Sequence, residues 1–149
     1  MEGMVARAAL LVLGVSGMGI SLYFTLVYYK FLSAERSVMP KFCRMEEGEC
    51  MRVIQAPEAR LLGIPNFVLG IFYYGGVILL AIFSPLDAIN GGVQLVSAAT
   101  VVAVVCGGYL IFVLLFKLKV NCVLCYAAHG INFCVLLVLL SILLGERSN

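Results

Sequence analysis

Charge is what this sequence has least of. Acidic and basic residues make up 12% of its 149 residues, against about a quarter in ordinary soluble domains. That shortage excludes several classes at once. A soluble chain of this size must turn much of its surface to water and has too little polar side chain to do so. A disordered chain needs low hydrophobicity and high net charge. A nucleic-acid binder needs a strong basic patch, whereas the net charge here is +2 and no basic cluster interleaves with aromatics. Internal repeats and low-complexity stretches are also missing. What the chain does have is apolar side chain: 63% of residues are hydrophobic and the mean hydropathy is +1.10. Such a composition belongs to an integral membrane protein whose main solvent is lipid.

Charge-free runs locate the spans. Residues 8–29, 61–86, 88–116 and 120–145 form four runs, interrupted by few polar groups. Each is long enough for a transmembrane helix, which needs roughly 20 apolar residues. The sequence therefore predicts an all-α membrane protein with embedded segments at 8–30, 65–84, 94–116 and 122–144. The first run is long and no small-x-small site precedes Lys30, so a retained span is expected there, not a cleaved signal peptide. The whole chain reads as one membrane domain. Residues 31–64 make a long loop that carries most of the charge. The links around Pro85 and Asn90, and from Lys117 to Asn121, are short and force antiparallel neighbours, giving an up-down four-helix bundle. Gly14, Gly17, Gly19, Gly75, Gly76, Gly107 and Gly108 are candidates for close helix contacts.

Four spans put the long loop and the 117–121 link on one side of the membrane. That places four cysteines together. Cys43 and Cys50 lie in the loop with six residues between them, and Cys122 and Cys125 form Cys-Val-Leu-Cys at the start of the fourth span. Cys122 and Cys125, at i and i+3, share a helix face within bridging reach. A helix N-terminus favours a thiolate at Cys122, and Lys117 and Lys119 add positive potential. Two thiol pairs at one membrane surface suggest dithiol–disulfide exchange. One rival reading is a non-catalytic membrane protein whose four surface thiols bind zinc, which the six-residue gap fits poorly. Another is a pair of purely structural disulfides. Cys106 and Cys134, deep in the third and fourth spans, read as small hydrophobes.

Polar residues within a membrane usually face a site or each other. His129, the sole histidine, lies one turn beyond Cys125. Asn66 follows Gly-Ile-Pro at the start of the second span, at a similar depth. Together they suit hydrogen bonding to the two carbonyl oxygens of a quinone. Phe67, Phe72, Tyr73, Tyr74 and Tyr126 could supply an aromatic wall.

A loop cysteine pair before the second span, Gly-Ile-Pro opening that span and Cys-x-x-Cys opening the fourth together resemble the vitamin K epoxide reductase family, including its prokaryotic disulfide-forming members. The resemblance runs from the first span to the fourth and is strongest over 50–74 and 121–133. It implies a four-helix bundle around a quinone of ubiquinone or menaquinone type. It also implies roles. Cys43 looks like the cysteine that exchanges with a protein partner, and Cys50 like the one that exchanges with Cys122. Cys125 looks like the residue beside the quinone ring, and Asn66 like the asparagine bonded to a quinone oxygen. His129 stands where animal members place tyrosine. Ala56, followed by Pro57, stands where the family often has serine or threonine. Both departures count against epoxide reduction. Without a fused thioredoxin-like domain in these residues, the expected partner is a separate thioredoxin-like protein. The electrons are expected to flow from that partner to the quinone; thiol-driven reduction of a quinone or its epoxide is the alternative.

The charge pattern speaks to orientation. Lys30, Arg36, Lys41, Arg44, Arg52, Arg60, Lys117 and Lys119 lie on the cysteine side, against Arg7 and Arg147 on the other. The positive-inside rule places the cysteines at the cytoplasm, although family habit places them outside.

Overall fold

The computed structural model describes residues 2–31, 53–61, 63–83 and 91–145. Cys43 and Cys50 lie outside the described residues, as do residues 84–90, where the sequence predicts a short link, and 146–149. Four helices dominate: α1 (Glu2–Tyr28), α2 (Asn66–Phe83), α3 (Gly91–Phe112) and α4 (Val123–Gly145). All four are long and apolar enough to cross a membrane. A helix satisfies its own backbone hydrogen bonds, and this is what lipid demands of a spanning segment. The protein is a multi-pass helical membrane bundle.

The helices close into a ring in which α1 packs on α2 and α4, α4 packs on α3, and α3 meets α2 more loosely. Without a hydrophobic driving force in lipid, close approach of backbones matters most. Gly17 sits directly under the Tyr74 ring, so a Cβ there would run into it. A Cβ on Gly14 would come 2.8 Å from Ile78 Cγ1. These contacts fix α1 and α2 as antiparallel neighbours. Gly107 plays the same part between α3 and α4, beneath the His129 ring. By contrast, Gly19, Gly76 and Gly108 have no neighbour within 4 Å of a built Cβ. They face away from the partner helices, so the sequence alone overstated the number of glycine contacts.

Two cores stack along the bundle. One, at the end carrying Cys122, gathers Phe24, Val27, Val53, Ile54, Leu114, Val120 and Cys122. The other gathers Leu10, Val77, Leu80, Ala81, Val93, Val135 and Leu139. Arg7 reaches across this second end to donate to the Ala81 carbonyl at 2.9 Å.

The connections at the cysteine end are structured. Val53, Ile54 and Ala56 are buried there, and a 3-10 turn follows at Pro57–Ala59. Then β1 (Arg60–Leu61) pairs antiparallel with β2 (Ile64–Pro65). Gly63 takes φ +83° between them, a value glycine adopts at no steric cost. This hairpin delivers the chain into α2 at Asn66. At the other connection, α3 widens into a π-helical turn, Val113–Leu118, and stops at Lys119 with φ 52°. The Val120 N–H closes the turn on the Leu114 carbonyl at 3.1 Å.

Candidate active site

A cavity of about 350 Å³ is lined by residues of all four helices and of the 53–61 segment. Its size falls within the roughly 300–1,000 Å³ of small-molecule sites, and its lining is mostly apolar, as such sites are. Phe24, Phe67, Tyr73 and Tyr74 provide aromatic surface. Asn66, Cys125 and His129 all line it. The structure thus brings together three of the six residues singled out from the sequence.

The fourth, Cys122, is bonded to Cys125 in a disulfide with Cα atoms 5.2 Å apart. Helix α4 begins at Val123, so Cys122 holds the N-cap position. Its Sγ accepts a hydrogen bond from the Cys125 N–H at 3.2 Å. A thiolate released at Cys122 would meet the same donor and the positive end of the helix dipole. The two sulfurs differ in surroundings. Cys122 is 0% exposed within the first core, whereas Cys125 is half-buried and faces the cavity. Cys43 and Cys50 cannot be placed, since they lie outside the described residues.

Electrostatics near the pair differ from the sequence expectation. Lys117 is ion-paired with Glu58, so its charge is compensated instead of being directed at Cys122. The Lys117 ammonium, donating to Glu58, holds that carboxyl below its usual range. The pair ties the Pro57–Ala59 turn to the end of α3 at the cavity, which Glu58 also lines. Ala56, where a hydroxyl would be expected, is buried on the same wall.

The His129 Nδ1 is buried and has no hydrogen-bond partner among the described residues. It packs over Gly107, where a Cβ would come within 2.6 Å. Asn132, the polar contact of Tyr73 and the cavity position of Cys106 escaped the sequence reading. Asn132 is buried on the cavity wall and accepts a hydrogen bond from Tyr74 Oη at 2.6 Å. Tyr73 Oη donates to Thr100 Oγ1 at 3.1 Å. Cys106 also lines the cavity, while Cys134 is exposed on the outer face of α4. An asparagine within an apolar run was the available signal for Asn132.

A membrane bundle that holds a bonded cysteine pair beside an apolar, amide-lined cavity has the build of a thiol–disulfide oxidoreductase. The chain matches the model of the vitamin K epoxide reductase family over residues 8–140 and belongs to that family. It is therefore a membrane oxidoreductase with a cysteine pair at its site. No curated protein matches the chain significantly.

Proposed function

We propose that this protein generates disulfides, taking electrons from a separate thioredoxin-like protein and passing them to a quinone. The observation that carries this reading is the Cys122–Cys125 disulfide with Cys125 facing a cavity shared by Asn66 and His129. The residues fit a quinone: an aromatic and aliphatic lining for a ring and prenyl tail, an amide at Asn66, and the imidazole of His129. A bound quinone supplies a two-electron, two-proton acceptor. Asn66 would hold one carbonyl oxygen and His129 the other, while the apolar wall keeps water from the sulfur.

The thiol steps balance without further reagents. The partner's dithiol attacks a Cys43–Cys50 disulfide, becoming oxidised and leaving two thiols. The Cys50 thiolate then attacks Cys122, breaking the Cys122–Cys125 bond and releasing the Cys125 thiolate into the cavity. Cys43 attacks Cys50, re-forming the loop disulfide and leaving Cys122 as a thiol. Chain length supports the exchange. Val53 follows Cys50 by three positions, roughly 10 Å at full extension, and Val53 packs in the same core as Cys122. Cys122 is fully covered, so the incoming sulfur must displace part of that core. The alternative direction, thiol-driven reduction serving the quinone, uses the same bonds.

The positive residues around the cysteine end favour a cytoplasmic site. A cell that forms disulfides in its cytosol would use such an orientation.

The test is Cys125→Ser in purified protein supplied with a reduced dithiol protein and a short-chain quinone. Quinone reduction is expected to cease, and unchanged turnover would overturn the mechanism. Orientation is read from a Cys43-only variant with a membrane-impermeant maleimide. Labelling only after lysis supports the cytoplasmic side; labelling of intact cells places the site outside.

A further inference from the structure

One buried polar group on the cavity wall has no part in the thiol chemistry. Asn132 is 9% exposed, lies within a membrane-spanning helix and lines the cavity. Its Oδ1 accepts from Tyr74 Oη at 2.6 Å, a contact that links α2 to α4. No other hydrogen bond of this side chain is found among the described residues. The tyrosine hydroxyl therefore fixes the amide plane and leaves the Nδ2 protons for the cavity. Nδ2 is not sealed within the protein, so the cavity reaches this donor and a ligand there can accept from it.

Position along the helix gives this donor a use. Cys125, His129 and Asn132 follow one another on the cavity face of α4. The seven residues from Cys125 to Asn132 rise roughly 10 Å. A sulfur contact to a ring, the ring itself and a hydrogen bond from its far oxygen together span about that length. We infer that Asn132, oriented by Tyr74, is a ligand-binding donor that joins His129 on one carbonyl oxygen, gripping its second lone pair on the side of the ring remote from Cys125. It selects ring ligands bearing such an acceptor over hydrocarbons of the same shape. This deepens the quinone reading and rests on it.

Cys106 lines the same cavity and reports occupancy without turnover. In protein carrying Cys43→Ser, Cys50→Ser and Cys134→Ser with the Cys122–Cys125 bond intact, Cys106 is the sole thiol. Its rate of alkylation by N-ethylmaleimide is measured against increasing 2,3-dimethyl-1,4-naphthoquinone, whose substituted alkene carbons react slowly with thiols. The quinone is expected to protect Cys106. Asn132→Leu should raise the protecting concentration about threefold to tenfold, the loss expected for one neutral hydrogen bond. Tyr74→Phe, which keeps the ring and removes only the hydroxyl, should shift it in the same direction by less. Protection by 2,3-dimethylnaphthalene should be the same in all three proteins. In otherwise wild-type enzyme, both substitutions should raise KM for the quinone and leave kcat unchanged.

Equal quinone protection with and without Asn132 overturns the inference and leaves the cavity reading standing. A shift of the same size with the naphthalene shows a packing role and also overturns it. Absence of protection in the parent protein overturns the quinone cavity itself. If Asn132→Leu does not fold, the Tyr74→Phe shift decides between the same outcomes.

Discussion

The two ends of the bundle are made from the same four helices and behave as different materials. At one end Leu10, Val77, Leu80, Ala81, Val93, Val135 and Leu139 form an all-aliphatic core. At the other, aromatic rings, two sulfurs and amides surround an open cavity, and none of those seven aliphatic residues reaches it. The difference lies in side-chain shape and polarity. Aliphatic chains interdigitate to crystal-like density. Rings held by hydrogen bonds, such as Tyr73 on Thr100 and Tyr74 on Asn132, stay where their partners hold them and cannot collapse into the gap. The packed end anchors the helices so that the other end can remain open for a ligand.

Filling the open end should separate function from stability most sharply. Ala103 lines the cavity on α3. Ala103→Phe is expected to abolish quinone reduction while leaving the melting temperature unchanged or slightly raised, as cavity filling often does. A large fall in melting temperature would mean that the space is not empty in the working protein. The converse change is Leu139→Ala, in the packed end, where Leu139 is 0% exposed. It should cost about 2–5 kcal/mol, read by thermal unfolding in detergent, with KM for the quinone unaffected. A rise in KM would show that the two ends are coupled.

Gly107→Ala tests the border between them. The new methyl would press on the His129 ring from 2.6 Å, and overpacking of this kind costs about 1–3 kcal/mol. The ring can move toward the cavity, so the larger consequence should be a raised KM. An unchanged KM would show that His129 does not contact the quinone.

How much of this was legible in the sequence depends on the range of the interaction. The spans could be read because lipid imposes a length and an absence of charge. Cys122 and Cys125 could be read because three residues of helix bring their side chains to one face. The Glu58–Lys117 and Tyr74–Asn132 pairs join residues 59 and 58 positions apart. Nothing local marks either, and only the antiparallel packing of the bundle sets their register. The π-helical turn at Val113–Leu118 carries neither glycine nor proline, so its sequence looks like continuing helix. Cavity and core also look alike in composition: Phe24 and Phe67 are ordinary apolar residues until the packing of the four helices shows which of their faces are uncovered.

The smallest expected effect concerns how the open end is fastened. Where the far end relies on aliphatic packing, the cavity mouth uses the Glu58–Lys117 pair, and Lys117 is 65% exposed. Exposed pairs are weak and screened by salt. Because Lys117 lowers the Glu58 pKa in the fold, the folded carboxylate holds its proton less tightly than the unfolded one. The pair's contribution is then fully present above the unfolded carboxylate pKa and disappears as the pH falls through the lowered folded value. Glu58→Gln should lower the melting temperature slightly near pH 7. The gap from wild type should narrow on acidification through that range, and it should also shrink when salt is raised at neutral pH. A gap that persists in acid would show that Glu58 supports the mouth through packing and not through charge. In that case both ends of the bundle would be held by the same kind of force.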